Sequence, residues 1–157
     1  MPASTRVRRL TLDDAPFLAE LLAAYAGEMR GEPAQPVSEA VALALIADPA
    51  ALVFAVHGPG PGAGLDGFAV VFDLPEAVSG RRAGQLDDLF VASQARGKGL
   101  AAALVHTAVE EGRRRGWVHL RWLVPEDNAA ALSLYRRLAE PAPWLSFVIR
   151  LDRAASL

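Results

Sequence analysis

Two glycines spaced by one residue, Gly97 and Gly99, stand just before an apolar helical pattern in this 157-residue chain. Without β-carbons, such residues let the backbone approach an anion closely, and the free amides of a first helical turn point at it. Arg96 and Lys98 add positive charge to the same segment. The pattern therefore predicts an anion-binding loop at the start of a helix.

Two familiar phosphate-binding motifs do not fit this loop. A Walker loop needs a glycine five positions before Gly97 and a Ser or Thr after Lys98, and neither is present. A dinucleotide-binding fingerprint favours a glycine three positions after Gly99, and the residue there is Ala102, which that motif tolerates only weakly. The pyrophosphate that the loop would bind therefore need not belong to a nucleoside triphosphate or to NAD.

The loop lies within a predicted strand, helix and strand unit. The strand covers residues 84–91, the helix 100–115, ended by Gly116, and the second strand 117–124. A crossover of this kind makes the two strands parallel, and the connection between them is right-handed. Ligands bind where the two strands separate. We therefore expect the chemistry to lie between Asp87 and Tyr135.

The remaining elements follow from periodicity, caps and Gly/Pro breaks. Residues 58–64 and 75–83 are predicted loops, and 31–36 is a break. The predicted helices cover residues from about 11 to 27, 38–49 and 128–138, and the predicted strands cover 6–10, 52–57, 67–73 and 144–151.

Two motifs in register resemble the GNAT N-acetyltransferase superfamily. Leu89-Phe90-Val91 followed by Gln94-x-x-Gly97-x-Gly99-x-Ala101 resembles its acetyl-CoA motif. Asn128-x-x-Ala131-x-x-Leu134-Tyr135-x-x-Leu138 resembles the second half of its signature, in the family's order and spacing. The resemblance implies an α/β fold over residues 1–157 as one domain, with a mixed, strongly twisted sheet of six to seven strands flanked by about four helices.

The resemblance also implies that acetyl-CoA is the cosubstrate. Its pyrophosphate is expected on the loop amides, its pantetheine arm along the strand edge, and its thioester sulfur near the Tyr135 hydroxyl, with Asn128 helping to hold the arm. The coenzyme-binding residues so implied are Leu89, Phe90, Val91, Gln94, Arg96, Gly97, Lys98, Gly99, Leu100, Ala101, Asn128 and Tyr135.

Acetyl transfer to an amine needs an acid and a base. A phenol, with a pKa of about 10, can protonate the departing thiolate, which suits Tyr135. An alkyl amine is protonated at neutral pH, so a carboxylate must collect its proton, and strand alternation lets only one of Asp87 and Asp88 face the site. Asp87 is favoured because it stands where the diamine acetyltransferase-like branch carries a glutamate. Ion pairs with Arg81 or Arg82 are the alternative for both aspartates.

The predicted acceptor is a primary amine, with a small amine or polyamine favoured by nearby acidic residues. Glu28, Asp87 and Trp144 form the substrate side implied by the resemblance. The chain has no cysteine, which favours direct attack over an acetyl-cysteine intermediate. Two alternatives remain open: a catalytically silent acyl-CoA-binding sensor, and a protein or peptide N-acetyltransferase.

Composition excludes several other classes of function. The net charge of −2 and the pI near 5.9 provide no basic stripe, so nucleic acid is not an expected partner. No apolar run approaches the length of a membrane span, about 18 residues, and we expect a cytoplasmic protein. No metal is expected, because the histidines lack ligand spacing: His57, His106 and His119.

The last predicted strand is also a candidate contact between two copies of the chain. The family often forms homodimers through its last strands. Trp144, Leu145 and Phe147 would then lie in the interface, although a buried core strand explains these residues equally well.

Overall fold

A five-stranded sheet is the frame on which the candidate site is built. The computed structural model describes residues 7–59 and 62–152 of the chain. In that part, the strands lie in the order β1 to β5, with antiparallel neighbours except for the parallel pair β4 and β5. The strands are β1 (Val7–Arg9), β2 (Ala51–His57), β3 (Leu65–Glu76), β4 (Arg81–Val91) and β5 (Trp117–Trp122).

The described residues form four helices. They are α1 (Ala15–Arg30), α2 (Glu39–Ala47), α3 (Leu100–Arg115) and α4 (Ala129–Leu138). Helices α1 and α2 share one buried cluster with Phe68, Val70 and Phe90. Val71 is as fully buried as Val70 but lies outside that cluster, as alternation across a strand requires, and α3 packs against β2 to β5 on that side. The predicted mixed α/β architecture is therefore confirmed.

The chain divides into two compact units, Met1–Trp122 and Leu123–Leu157. The first contains the sheet with α1, α2 and α3. The second contains α4 and, within its described residues, a segment after α4 without helix or strand. The parallel unit of β4, α3 and β5 appears as predicted, except that β5 ends at Trp122 rather than at residue 124.

The predicted last strand, residues 144–151, is wrong. A strand requires ladder hydrogen bonds from a neighbour, and none of the strand pairs in the described chain involves this segment. Leu145, Phe147 and Ile149 are 85%, 88% and 65% exposed. The sheet therefore has five strands rather than six to seven.

The first long helix ends later than predicted, at Arg30 instead of Gly27. Gly27 is buried inside the helix, where the chain folds back over it: an added β-carbon would lie 2.9 Å from the Glu32 carbonyl oxygen. The helix ends at Gly31, whose φ of 67° is left-handed. The prediction that Gly27 ends the helix is therefore wrong, because this glycine is needed for the close approach of the following chain.

The central strands are also longer than predicted. Residues 75–83 were expected to form a loop, but β3 continues to Glu76 and β4 begins at Arg81, so only a short turn remains. The turn contains Gly80 at a φ of 66°. Arg6, at the start of the predicted first strand, and residues 60 and 61 of the predicted 58–64 loop lie outside the described residues.

Candidate functional site

The end of β4 has one edge without a partner strand. Its parallel pairing with β5 stops at Leu86 and Trp122. Its antiparallel pairing with β3 continues five residues further, to Val91. Within the described residues, β4 past Leu86 is therefore paired with a strand on one side only, and its other edge is free for an extended ligand.

The backbone groups of Leu89 and Val91 face this free edge. The Ala92 amide donates to the Asp66 carbonyl of β3 at 2.9 Å. In an antiparallel ladder, alternate residues direct their amide and carbonyl to the same neighbour, so the residues between them point the other way. The backbone groups of Leu89 and Val91 are therefore directed away from β3.

A β-bulge in β4 separates the two predicted aspartates. Val70 lies opposite Asp88 and Val71 opposite Leu86, which leaves Asp87 as an extra residue without a partner on β3. The bulge changes the alternation, so that Leu86 is buried on the α3 side while Asp88 shares the α1 side with Val70. Asp88 therefore faces α1.

Asp88 is half-buried and bonded to α1. The Tyr25 hydroxyl donates to its Oδ1 atom at 3.0 Å. Burial raises the pKa of the Asp88 carboxyl; the hydrogen bond from Tyr25 opposes this, and the negative charge of Asp87 adds to it. The net rise makes Asp88 a better proton acceptor than an ordinary surface carboxylate.

Asp87, by contrast, is exposed, and its Oδ1 accepts a hydrogen bond from the Gln85 side chain at 3.2 Å. The predicted alternative, ion pairs with neighbouring arginines, is not what the described residues show. Arg82 donates to Asp73 at 2.7 Å, and Arg81 donates to the Gly116 carbonyl at 3.1 Å. The arginines therefore serve other partners.

The loop after β4 has the geometry of an anion site. Gly97 and Gly99 have φ values of 78° and 75°, which favour glycine, and an added β-carbon at either would meet no atom within 4 Å. Helix α3 begins directly after Gly99. Its first amides have no intrahelical acceptor, and no backbone acceptor for amides 97–102 is found among the described residues. The space beside both glycines is open.

Arg96 joins the loop to α1. Its Nε donates to the Val91 carbonyl at 2.9 Å, and one terminal nitrogen donates to both carboxylate oxygens of Glu28 at 2.7 Å. The guanidinium carbon lies 5.7 Å from the centre of the Phe90 ring. Arg96, predicted to bind the coenzyme, is therefore in direct contact with Glu28, predicted to bind the acceptor. Gln94 and Lys98 are exposed nearby in sequence.

A cavity of about 590 Å³ lies beside this contact. It is enclosed by α1, the connection between β2 and β3, and the end of β4. Its walls are partly apolar and partly acidic, and include Phe17, Leu21, Phe90, Glu20, Glu28 and Asp66.

In the second unit, α4 carries Asn128 and Tyr135. Asn128 is the N-cap, and its side chain accepts a hydrogen bond from the Ala131 amide at 3.1 Å. Tyr135 lies seven residues later, about two turns along the same side of the helix, and is half-buried. Burial raises the pKa of its phenol. Trp144, predicted for the acceptor side, is 83% exposed.

Tyr25 is the site residue that sequence reasoning missed. Its helical spacing from Leu18, Leu21 and Leu22 predicts a core residue. The centre of its ring lies 5.7 Å from that of Phe68 and 5.3 Å from that of Phe90. A tyrosine within an otherwise aliphatic helix face carries a signal, because a buried hydroxyl needs a partner. That partner is Asp88.

The described residues contain neither a cluster of metal ligands nor a membrane-spanning helix. Among residues 7–59 and 62–152, no group of three or more His, Asp or Glu side chains could hold a metal ion. In the same part of the chain, no helix combines the length and apolar character needed to cross a bilayer.

The chain resembles a known protein family and several solved structures over most of its length. The acetyltransferase (GNAT) family model matches residues 17–139. A solved ribosomal-protein-alanine N-acetyltransferase from Brucella melitensis biovar Abortus 2308 is 34% identical, with a TM-score of 0.82, covering 95% of this chain and 100% of its own. A Trypanosoma brucei acetyltransferase is 26% identical, with a TM-score of 0.75, covering 94% and 100%.

A third structure shows likeness of fold alone. It is an aminoglycoside acetyltransferase from an uncultured soil metagenomic sample, 23% identical, with a TM-score of 0.78, covering 95% of this chain and 99% of its own. No curated protein matches the sequence.

Proposed function

Because this chain belongs to the GNAT acetyltransferase family and is thus an acyltransferase, we propose that it transfers acetyl from acetyl-CoA to a primary amine by direct attack. The observation that carries the proposal is the half-buried Asp88, held by Tyr25 beside the free edge of β4. The transfer needs an edge that binds the extended coenzyme and a group that accepts a proton, and we propose that β4 provides both.

On the coenzyme side, the pantetheine arm would pair with the backbone of Leu89 and Val91. The pyrophosphate would bind the amides of the loop from Arg96 to Ala101, with Arg96 and Lys98 supplying positive charge. The free edge and the open, unpaired amides support this assignment. Asn128 and Tyr135 complete the proposed set from α4.

Of the two predicted aspartates, Asp88 is the one that we propose as base. The acceptor ammonium gives a proton to the Asp88 carboxylate, through a water where the side chain is too short, and the free amine then attacks the thioester carbon. The C–S bond breaks, the thiolate takes a proton from the Tyr135 phenol, and the phenolate recovers a proton that the nitrogen of the new amide loses. Asp87 would contribute negative charge that favours a cationic acceptor.

Two classes of acceptor follow. A small amine or polyamine, as in the diamine branch, is favoured by the carboxylates of Asp87, Asp88 and Glu28. The α-amine of a peptide is favoured by the 34% identity, over the full length, to a ribosomal-protein-alanine N-acetyltransferase. Both present a primary amine to the same base.

The test is thiol release from acetyl-CoA against polyamines, peptides beginning with alanine, aminoglycosides and lysine peptides. The chain contributes no thiol of its own. We expect turnover with one class and a loss of about a hundredfold in kcat for Tyr135→Phe. CoA binding without turnover on any amine would support the silent sensor instead.

We also propose a homodimer in which the exposed side chains of Trp144, Leu145 and Phe147 contact a second copy. Sedimentation analysis of wild type and Phe147→Ser tests this. A wild type that stays monomeric would contradict it.

A further inference from the structure

The contact between Arg96 and Glu28 lies across the two halves of the proposed site. Arg96 directly precedes the glycine loop, whereas Glu28 is on the last turn of α1, one turn beyond the Tyr25 that holds Asp88. The two side chains are 47% and 52% exposed. An ion pair this exposed is weak, so a stronger anion can replace Glu28 as the partner of Arg96.

The pyrophosphate of CoA is such an anion. It would bind the unpaired amides that begin at Gly97, the residue next to Arg96. A guanidinium bonds phosphate oxygens strongly, and the loop amides hold them close to it. Coenzyme binding and the contact with Glu28 therefore compete for one side chain.

Glu28 has space in which to bind something else. Its side chain lines the cavity of about 590 Å³, together with the carboxylates Glu20 and Asp66 and the apolar side chains Phe17 and Leu21. When Arg96 leaves, an uncompensated carboxylate faces this cavity, and a cation is the ligand that it favours.

We infer that Arg96 masks Glu28 in the free protein, and that bound coenzyme unmasks Glu28 as the residue that selects acceptors with a second cationic group. The inference rests on the proposed function. Glu28 is a specificity residue here, since it contacts the part of the acceptor away from the reacting amine.

A double-mutant cycle on CoA affinity tests the masking. Titration calorimetry should show CoA binding about two- to fivefold tighter in Glu28→Gln than in wild type, because Arg96 is already free. In an Arg96→Gln background, the same substitution should have no effect. Glu32→Gln, which removes an exposed charge just beyond α1, is the matched control and should bind like wild type.

Each result of the cycle has a defined meaning. A gain that persists without Arg96, or that Glu32→Gln reproduces, would reflect general charge repulsion and overturn the masking. A Glu28→Gln variant that binds CoA no more tightly than wild type would overturn it as well. If wild type binds no CoA, the proposed function itself is wrong and the inference falls with it.

The selectivity is measured at saturating acetyl-CoA with the best acceptor found and its analogue lacking the second cationic group. In Glu28→Gln we expect KM for the dicationic acceptor to rise about fivefold at unchanged kcat, with little change for the analogue. Equal changes for both would overturn the role of Glu28, as would a best acceptor with only one cationic group.

Discussion

The two ends of the β4 and β5 pair are built in opposite ways. At the beginning of β4, the buried Asp73 carboxylate accepts hydrogen bonds from Arg82, Arg115 and Trp117 at 2.7, 3.0 and 2.8 Å. At the end of β4, no β5 residue pairs with it, and its edge is free. At the first end, which we call the tied end, hydrogen-bonded side chains connect four elements. At the other end, which we call the open end, the two strands separate.

Packing reinforces the tied end. The Trp117 indole lies against Gly84 of β4 and Gly112 of α3, where a β-carbon would come within 2.3 and 2.4 Å of the ring. Only glycine leaves room for the ring at these two positions. The strands therefore stay together where side chains connect them, and they separate beyond the last of these connections.

The largest expected effect is at the open end, in Asp88→Asn. The amide cannot accept the amine proton, so kcat/KM in the thiol-release assay should fall about 10²- to 10³-fold. Asp87→Asn is the matched variant on the same bulge, exposed to solvent, and should lower kcat/KM far less, because only its negative charge is lost and not the proton acceptor. A larger loss in Asp87→Asn would assign the base to Asp87, as the family pattern predicts.

At the tied end, Asp73→Ala should lower the free energy of unfolding by about 3 kcal/mol, because two arginines and an indole lose a common buried partner. Urea denaturation measures this, with exposed Asp127→Ala as control, expected within about 0.5 kcal/mol of wild type. A loss of activity without a loss of stability would contradict the comparison.

The same residue predicts a pH dependence. Burial raises the pKa of the Asp73 carboxyl, but the hydrogen bonds from Arg82, Arg115 and Trp117 outweigh it, and the net pKa is lowered. The stability that Asp73 provides is therefore present above its ordinary pKa and is lost as the pH falls through the lowered value. Asp73→Ala should flatten this acidic loss.

A smaller effect is expected for Gly84→Ala. Its new methyl group would overlap the Trp117 ring, and overpacking of this kind costs about 1–3 kcal/mol. Gly64→Ala is the control, since nothing lies within 4 Å of its added β-carbon. Thermal unfolding of both variants should separate them, and equal stability would show that the ring moves away freely.

The smallest change is expected in Tyr25→Phe. It removes the hydrogen bond that favours the charged form of Asp88, so the pKa of that carboxyl should rise further. Because the base acts when deprotonated, the acidic limb of the kcat profile should move to higher pH. A limb that stays in place, or moves to lower pH, would separate Asp88 from catalysis.

Local signals predicted much of this molecule. Gly116 ends α3 with a φ of 70°, and α4 covers Ala129–Leu138, close to the predicted 128–138, because helix ends depend on residues within one turn. The glycine loop followed from the same kind of signal. These features need no knowledge of what lies across the sheet.

Distant pairings could not be predicted in the same way. Tyr25 and Asp88 are 63 positions apart, and Glu28 and Arg96 are 68 apart. The bulge at Asp87 depends on the register with β3, and apolar alternation in residues 144–151 could not establish whether a neighbouring strand was present. Arg115 and Asp73, which are 42 positions apart, form another such pair.

Two tryptophans in the first unit lie at opposite ends of this strand pair, and their fluorescence could report on each end. Trp117 is packed at the tied end of the strand pair, whereas Trp122 is the last residue of β5, where the strands part. Indole emission depends on local polarity and on nearby charge, so a ligand entering the opening should alter the emission of Trp122 and leave that of Trp117 unchanged. With Trp144 and one of Trp117 or Trp122 replaced by phenylalanine, each end of the pair could be followed by the fluorescence of the remaining indole without an added label.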